Sequence, residues 1–354
     1  MRWMLLPYLH YAPALQPPFE LAATAAVAGR VSAGPGLVLR DCATLRADGE
    51  EIRIGAGVFF AERSTVHIVD GRLPAVIGDR VTVGRYALVH ACTLGDGVVV
   101  GDAAVVMDGA HVGSGALVAP GALVAPRKQL DGGALYAGNP AVRVRDIAPD
   151  ELAMAANAIR DGSAGAPLVR ERDLPPLDNR AYEPPARSAG SLARAGANAK
   201  AFVAATAAVH GDVALGDDAG IYFACAVVAG GAMITIGEGT NVQDNALMVT
   251  DAARGDLAIG RRVTVGHNVR MGAGAIGDDA LIGMGAQLGD GVIVEAGACV
   301  GGRALVLPGT VVKSGWIWAG RPARAFREIR PDDRAGFARA AEVYVRYTRA
   351  YRGG

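Results

Sequence analysis

Along most of this chain an aliphatic residue is followed by a glycine or an alanine. The pairs fall at Val83-Gly84, Val100-Gly101, Val112-Gly113, Val118-Ala119 and Val124-Ala125, and later at Ile236-Gly237, Ile259-Gly260, Val265-Gly266, Ile276-Gly277 and Ile282-Gly283. Most separations are six residues or a multiple of six, with a few one-residue slips. A helix cannot use this pattern, because glycine in a helix interior costs about 1 kcal/mol relative to alanine. Short strands joined by sharp turns can use it. Each hexad then forms one flat face, its aliphatic residue points inward, and the small residue relieves crowding at the corner. Coil stacks on coil, so backbone hydrogen bonds run between coils around a continuous core. The periodicity predicts an all-β chain built of left-handed parallel β-helices.

A longer repeat lies over the short one. Ile52-Arg-Ile-Gly-Ala-Gly57 returns as Ile234-Thr-Ile-Gly-Glu-Gly239, Val81-Thr-Val-Gly84 as Val263-Thr-Val-Gly266, and Tyr136-Ala-Gly-Asn-Pro140 as Trp318-Ala-Gly-Arg-Pro322, all at one offset of 182 residues. The chain therefore reads as two β-helices in tandem. Each copy closes on a helix-start signal, Ala148-Pro-Asp-Glu in the first and Arg330-Pro-Asp-Asp in the second, with proline and acids in the first turn. The expected organisation is a first β-helix plus helix over 1–161, a proline-rich connector over 162–190, and a second β-helix with a C-terminal helix over 191–354.

Composition agrees and narrows the function. Of 354 residues 49 are glycine and only 5% are aromatic, as a narrow β core requires. Lys plus Arg balances Asp plus Glu at 35 each, so no bulk field recruits nucleic acid or anionic lipid. No apolar run is long enough to span a membrane, and the first residues lack a signal-peptide core. The cysteines, Cys42, Cys92, Cys225 and Cys299, show no CxxC spacing. Reduced thiols and a cytoplasmic location are the expectation.

Several further elements, in order, carry a resemblance. Arg46-Ala47-Asp48 precedes an Ile-x-Ile-Gly strand, Gln243-Asp244-Asn245 stands in the second copy, Gly266-His267 forms a Gly-His pair, and Ala137-Gly-Asn-Pro140 precedes the first helix signal. Over roughly residues 20–160 and 200–350 the sequence resembles the γ-class carbonic anhydrases of the hexapeptide-repeat superfamily. That resemblance implies a metal held by three histidines at an interface, two from one β-helix and one from its neighbour. The first, second and third ligand positions are His67, Arg85 and His90 in the first copy, and Val249, His267 and Gly272 in the second. Neither copy holds the three ligands of an open catalytic zinc site. The losses are complementary, however. The first copy keeps the pair and the second keeps the single ligand, a split that chance produces roughly one time in ten. His10, His111 and His210 match no ligand position.

The resemblance implies a Zn2+ site, with Fe2+ or Co2+ able to use the same ligands, made by His67, His90 and His267. Arg46 and Asp48 are implied as a supporting ion pair, Gln243 as the partner of metal-bound solvent, and Glu62 as a carboxylate near the site. The expected reaction is attack of metal-activated water on CO2 or a related small carbonyl substrate. His67 and Arg85, 18 residues apart, are expected to stack on adjacent coils, with the histidine rings pointing out of the corners. The alternatives are a hexapeptide acyltransferase and a non-catalytic scaffold with a decayed site. The expected partners are a small-molecule substrate and further copies of the chain, in a homo-oligomer with mixed first-copy and second-copy interfaces.

Overall fold

Thr82, Val99, Leu117 and Leu135 stand in register on successive parallel strands, 17 or 18 residues apart, so three hexads make one coil. The computed structural model describes residues 4–162 and 198–353. The chain separates into two compact units, Met1–Glu171 and Arg172–Gly353. Each is a parallel β-helix followed by one α-helix, as the hexads predict. Apart from Gly162, the connector expected over 162–190 lies outside the described residues.

In the first unit one inward column includes Phe60, Val83, Val100 and Val118, each fully buried in one core cluster. In the second unit Val242, Val265, Ile282 and Val300 do the same. The glycine or alanine after Val83, Val100, Val118, Val265, Ile282 and Val300 is needed because the coils crowd there. A Cβ on Gly84 would stand 2.6 Å from the Asp102 nitrogen, and one on Gly266 2.8 Å from that of Met284. Not every turn uses glycine, since Tyr86 and Asn268, at matching turns, take φ of 54° and 58°. That shared geometry orients Arg85 and His267 alike on their own coils.

Helix α1, Pro149–Arg160, lays Leu152, Ala155, Ala156 and Ile159 over Val99, Leu117 and Leu135. Helix α2, Pro331–Gly353, is longer and buries Ala341, Tyr344, Tyr347 and Thr348. The Tyr222 hydroxyl donates to the Tyr344 carbonyl at 3.0 Å, which fixes α2 to the second β-helix. Among the described residues no helix is long and apolar enough to cross a membrane.

One expectation about stacking is corrected. His67 pairs in register with His90, 23 residues on, and not with Arg85. After His67 the chain makes an excursion closed by a bridge between Val69 and Leu73, which lengthens that coil beyond three hexads. Arg85 stands at a different corner, where Tyr86 donates its backbone N–H to the Glu62 carbonyl at 3.0 Å.

Candidate metal centre

In the first unit the strands Thr44–Ile54, Thr65–His67 and Leu88–His90 lie side by side, and their register places Arg46, His67 and His90 in one column. Val66 and Val89 belong to the core, so strand alternation turns the histidines to the outside of it. Both histidines are nonetheless buried. His67 Nδ1 and His90 Nε2 are 3.2 Å apart. The outer nitrogen of each ring faces a carboxylate: His90 Nδ1 lies 2.6 Å from Asp108 Oδ1, and His67 Nε2 lies 3.6 Å from Asp48 Oδ2. Asp48 is also ion-paired with Arg46, and both side chains are fully buried. Burial, with the Asp108 charge adding to it, pushes the thiol of nearby Cys92 upward and keeps it a neutral part of the core.

In the second unit the matching column reads Val228, Val249 and Gly272, and holds no donor. Its polar groups gather instead at the turn of His267. Asp244 Oδ2 is 3.1 Å from His267 Nδ1, and Asp244 Oδ1 accepts the Phe223 N–H at 3.0 Å. The Tyr344 hydroxyl, carried by α2, makes a long 3.5 Å contact with His267 Nε2. Gln243 donates through Nε2 to Asn241 Oδ1 at 3.0 Å, while its buried Oε1 has no hydrogen-bond partner among the described residues. The first unit carries an ion pair at the positions of Asp244 and His267: Glu62 Oε2 lies 3.3 Å from Arg85 Nε. Arg85 also bonds Asp102 at 3.2 Å, and burial raises the Asp102 carboxyl against the lowering effect of that arginine.

Of the residues singled out in the sequence, Arg46, Asp48, His67 and His90 come together in the first unit. Gln243 and His267 occupy neighbouring coils of the second. Glu62 sits at the turn before Thr65–His67, paired with Arg85. Sequence reading missed Asp108 and Tyr344. The 18-residue spacing from His90, one coil, is a signal for Asp108. Tyr344 carries none, since 77 residues separate it from His267.

No protein-family model matches the chain. It is 36% identical over 159 residues to "Gamma carbonic anhydrase 1, mitochondrial" of Arabidopsis thaliana, covering 43% of this chain and 57% of that protein. It is 33% identical over 154 residues to "Carbonic anhydrase" of Geobacillus kaustophilus, covering 44% of this chain and 84% of that protein. The chain belongs to the γ-carbonic anhydrase-like hexapeptide-repeat family. It spans little more than half the length of the plant relatives that it matches. A solved hexapeptide transferase family protein from Anaplasma phagocytophilum is 37% identical, with a TM-score of 0.40, over 43% of this chain and 89% of that one.

For a γ-carbonic anhydrase-like protein the donor set must suit a metal. Two nitrogens bound to one tetrahedral zinc, at about 2.0–2.1 Å each, lie roughly 3.3 Å apart. The 3.2 Å between His67 Nδ1 and His90 Nε2 fits that spacing. The His90 ring also has a carboxylate bonded to its other nitrogen, the arrangement that fixes the tautomer of a metal-binding histidine, while Asp48 stands 3.6 Å from the other nitrogen of His67. The buried Gln243 Oε1 is an acceptor suited to a proton of ordered solvent. The histidine pair of the first copy fits two ligands of a metal.

Proposed function

We propose that this protein is a metal-dependent carbonic anhydrase-like lyase whose metal is held jointly by unlike halves. His67 and His90 would come from a first β-helix and His267 from a second. The observation that carries this reading is the 3.2 Å histidine pair, backed by Asp108 and Asp48, in the half that lacks the second ligand. The half that keeps that ligand has only Val228, Val249 and Gly272 in the pair's column. Zn2+ suits three imidazoles, and Fe2+ or Co2+ would accept them.

When bound, the metal supplies Lewis-acid activation of water for attack on CO2 or a related small carbonyl group. The chain's own residues prepare for this. Asp108 accepts the Nδ1 proton of His90, which leaves the Nε2 lone pair facing His67. The Asp244 carboxylate, 3.1 Å from Nδ1 of His267, favours a proton on that nitrogen, and the Tyr344 hydroxyl stands 3.5 Å from Nε2. Gln243, anchored through Nε2 on Asn241, offers Oε1 to orient solvent. The buried Arg46–Asp48 pair holds the carboxylate beside His67. Its pairing with Arg85 gives Glu62 no step in this reading.

Stopped-flow CO2 hydration by zinc- and iron-loaded protein tests the assignment, with an acyl-CoA turnover assay run beside it. The expected result is hydration above background that falls about 100-fold in Gln243→Ala, the scale of losing one positioned hydrogen bond. Acyl transfer without hydration would move the protein to the acyltransferase class.

A further inference from the structure

One face of the second β-helix lacks the polar coat that its duplicate carries. Thr235, Ala258, Ala275, Ile293 and Val311 stand in register on successive coils. Their neighbours Ile236, Ile259, Ile276, Val294 and Val312 belong to the core, so strand alternation turns this column outward. Ala258 and Ala275 are exposed, Ile293 is 45% exposed, and Met233, at the edge of the same face, is 48% exposed. Helix α2 lies on a different face, that of the strands Phe202–Val203, Asn241–Val242 and Thr264–Val265. At the offset of 182 the first copy has Arg53, Val76, Thr93, His111 and Gln129 in the same register, with Glu51 for Met233. Glu51 and Arg53 are ion-paired there. The coil therefore folds with a polar face, and the apolar one of the second copy needs another reason.

This face is complementary to itself. A two-fold axis through Ala275, parallel to the strands, inverts the order of the coils. It sets Ala258 opposite Ile293, so the largest side chain of the column meets one of the smallest. It also sets Thr235 opposite Val311, two branched side chains of similar size. The corner beside the column reads Glu238, Arg261, Asp278, Glu295 and Lys313. Under the same inversion Glu238 meets Lys313 and Arg261 meets Glu295, opposite charges both times. Asp278 falls at the axis, where Arg261 of its own chain holds it at 3.0 Å. An uncharged centre inside a charged rim is the anatomy of a protein interface.

We propose that this face docks the same face of a second copy of the chain, with the two second β-helices packed antiparallel. With coils about 4.8 Å apart, the column and its rim offer on the order of a few hundred Å². That is less than the roughly 800 Å² per partner of a standard interface, so the dimer should dissociate on dilution. The inference stands apart from the metal reading, whose ligands His67, His90 and His267 lie outside this column.

The test uses the full chain with Cys42→Ala, which removes the one cysteine that is not buried. Ala275→Cys then places a thiol at the axis, and a short bismaleimide should link it to its copy. Ala214→Cys lies three coils away, so its copies stand six coils apart and should not link. A mixture of Ala258→Cys and Ile293→Cys chains should link to each other more than to themselves. Sedimentation velocity gives the second readout, with the mass of the parent chain doubling as concentration rises. The triple variant Thr235→Arg, Ile293→His, Val311→Gln should keep the mass that the parent has when dilute. Each new residue is the one the first copy holds at that coil position, so circular dichroism should report both β-helices intact. Doubling that survives in the triple variant overturns the proposal, and so does an Ala275→Cys chain that links no better than Ala214→Cys. Metal content should be equal in parent and triple variant. A protein that dimerises through this face but holds no metal would refute the metal site and leave this inference standing.

Discussion

Asp108 and Asp48 matter more to this protein than their modest place in the sequence suggests. The short contact of Asp108 with His90 Nδ1 fixes which nitrogen carries the proton, and so which one can bind a metal. Asp108→Asn keeps the shape and removes the charge. It should weaken metal affinity by about 10–100-fold, read by competition with a chromophoric chelator. An unchanged affinity would show that the contact is incidental. The Arg46–Asp48 pair makes a different case, because both partners are fully buried. Arg46→Met alone strands a buried carboxylate and should cost about 3–5 kcal/mol in urea unfolding. Arg46→Met with Asp48→Leu should cost less than either change alone, since no charge is left behind. A double variant as damaged as the sum of the singles would contradict this. At this scale the sequence was only partly legible. His67, His90 and His267 were found by matching copies, whereas the acids behind them depend on which coil lies next, and the Val69–Leu73 excursion upsets simple counting.

Elements were easier to read than residues. The inward valines and isoleucines at hexad spacing fall in the two core clusters, and both helices begin at the proline the sequence marked, Pro149 and Pro331. What could not be read was the reach of α2, whose outer turns carry Tyr344 to His267 through contacts with Tyr222 and Thr348. That reach depends on the start of α2, where Asp333 accepts the Arg330 N–H at 2.8 Å and pairs with Arg327. The Arg327 guanidinium first, and the Arg330 N–H second, hold the Asp333 carboxyl down at about 2. A carboxyl lowered on folding stabilises the fold above its unfolded value near 3.9, and that contribution fades as pH falls towards 2. Asp333→Ala should therefore lower stability by about 1 kcal/mol at pH 7, the usual worth of a helix cap. The difference from the parent protein should close between about pH 4 and pH 2, followed by tryptophan fluorescence in urea. A gap that persisted at pH 2 would mean that Asp333 acts by shape and not by charge.

On the scale of the whole molecule, the duplication is informative through its asymmetries. Both copies keep the coil, the crowded corners of Gly84 and Gly266, and a carboxylate at the turn before the ligand positions, Glu62 and Asp244. They part at the ligands, where the first copy has Arg85 for the His267 of the second, and the second has Val249 and Gly272 for His67 and His90. The repeat and its periodicity were plain in the sequence. The division of labour emerged only when one copy was set against the other, position by position. If that division is functional, a chain has ligands for one metal and not for two.

Metal analysis of untagged protein, comparing the parent chain with His267→Ala, tests this most directly. His267 is the one ligand position retained by a half whose other two are Val249 and Gly272. About one equivalent of metal per parent chain is expected, consistent with a three-histidine site, with near-complete loss in His267→Ala while both β-helices stay folded. Metal content unchanged by that substitution would contradict it.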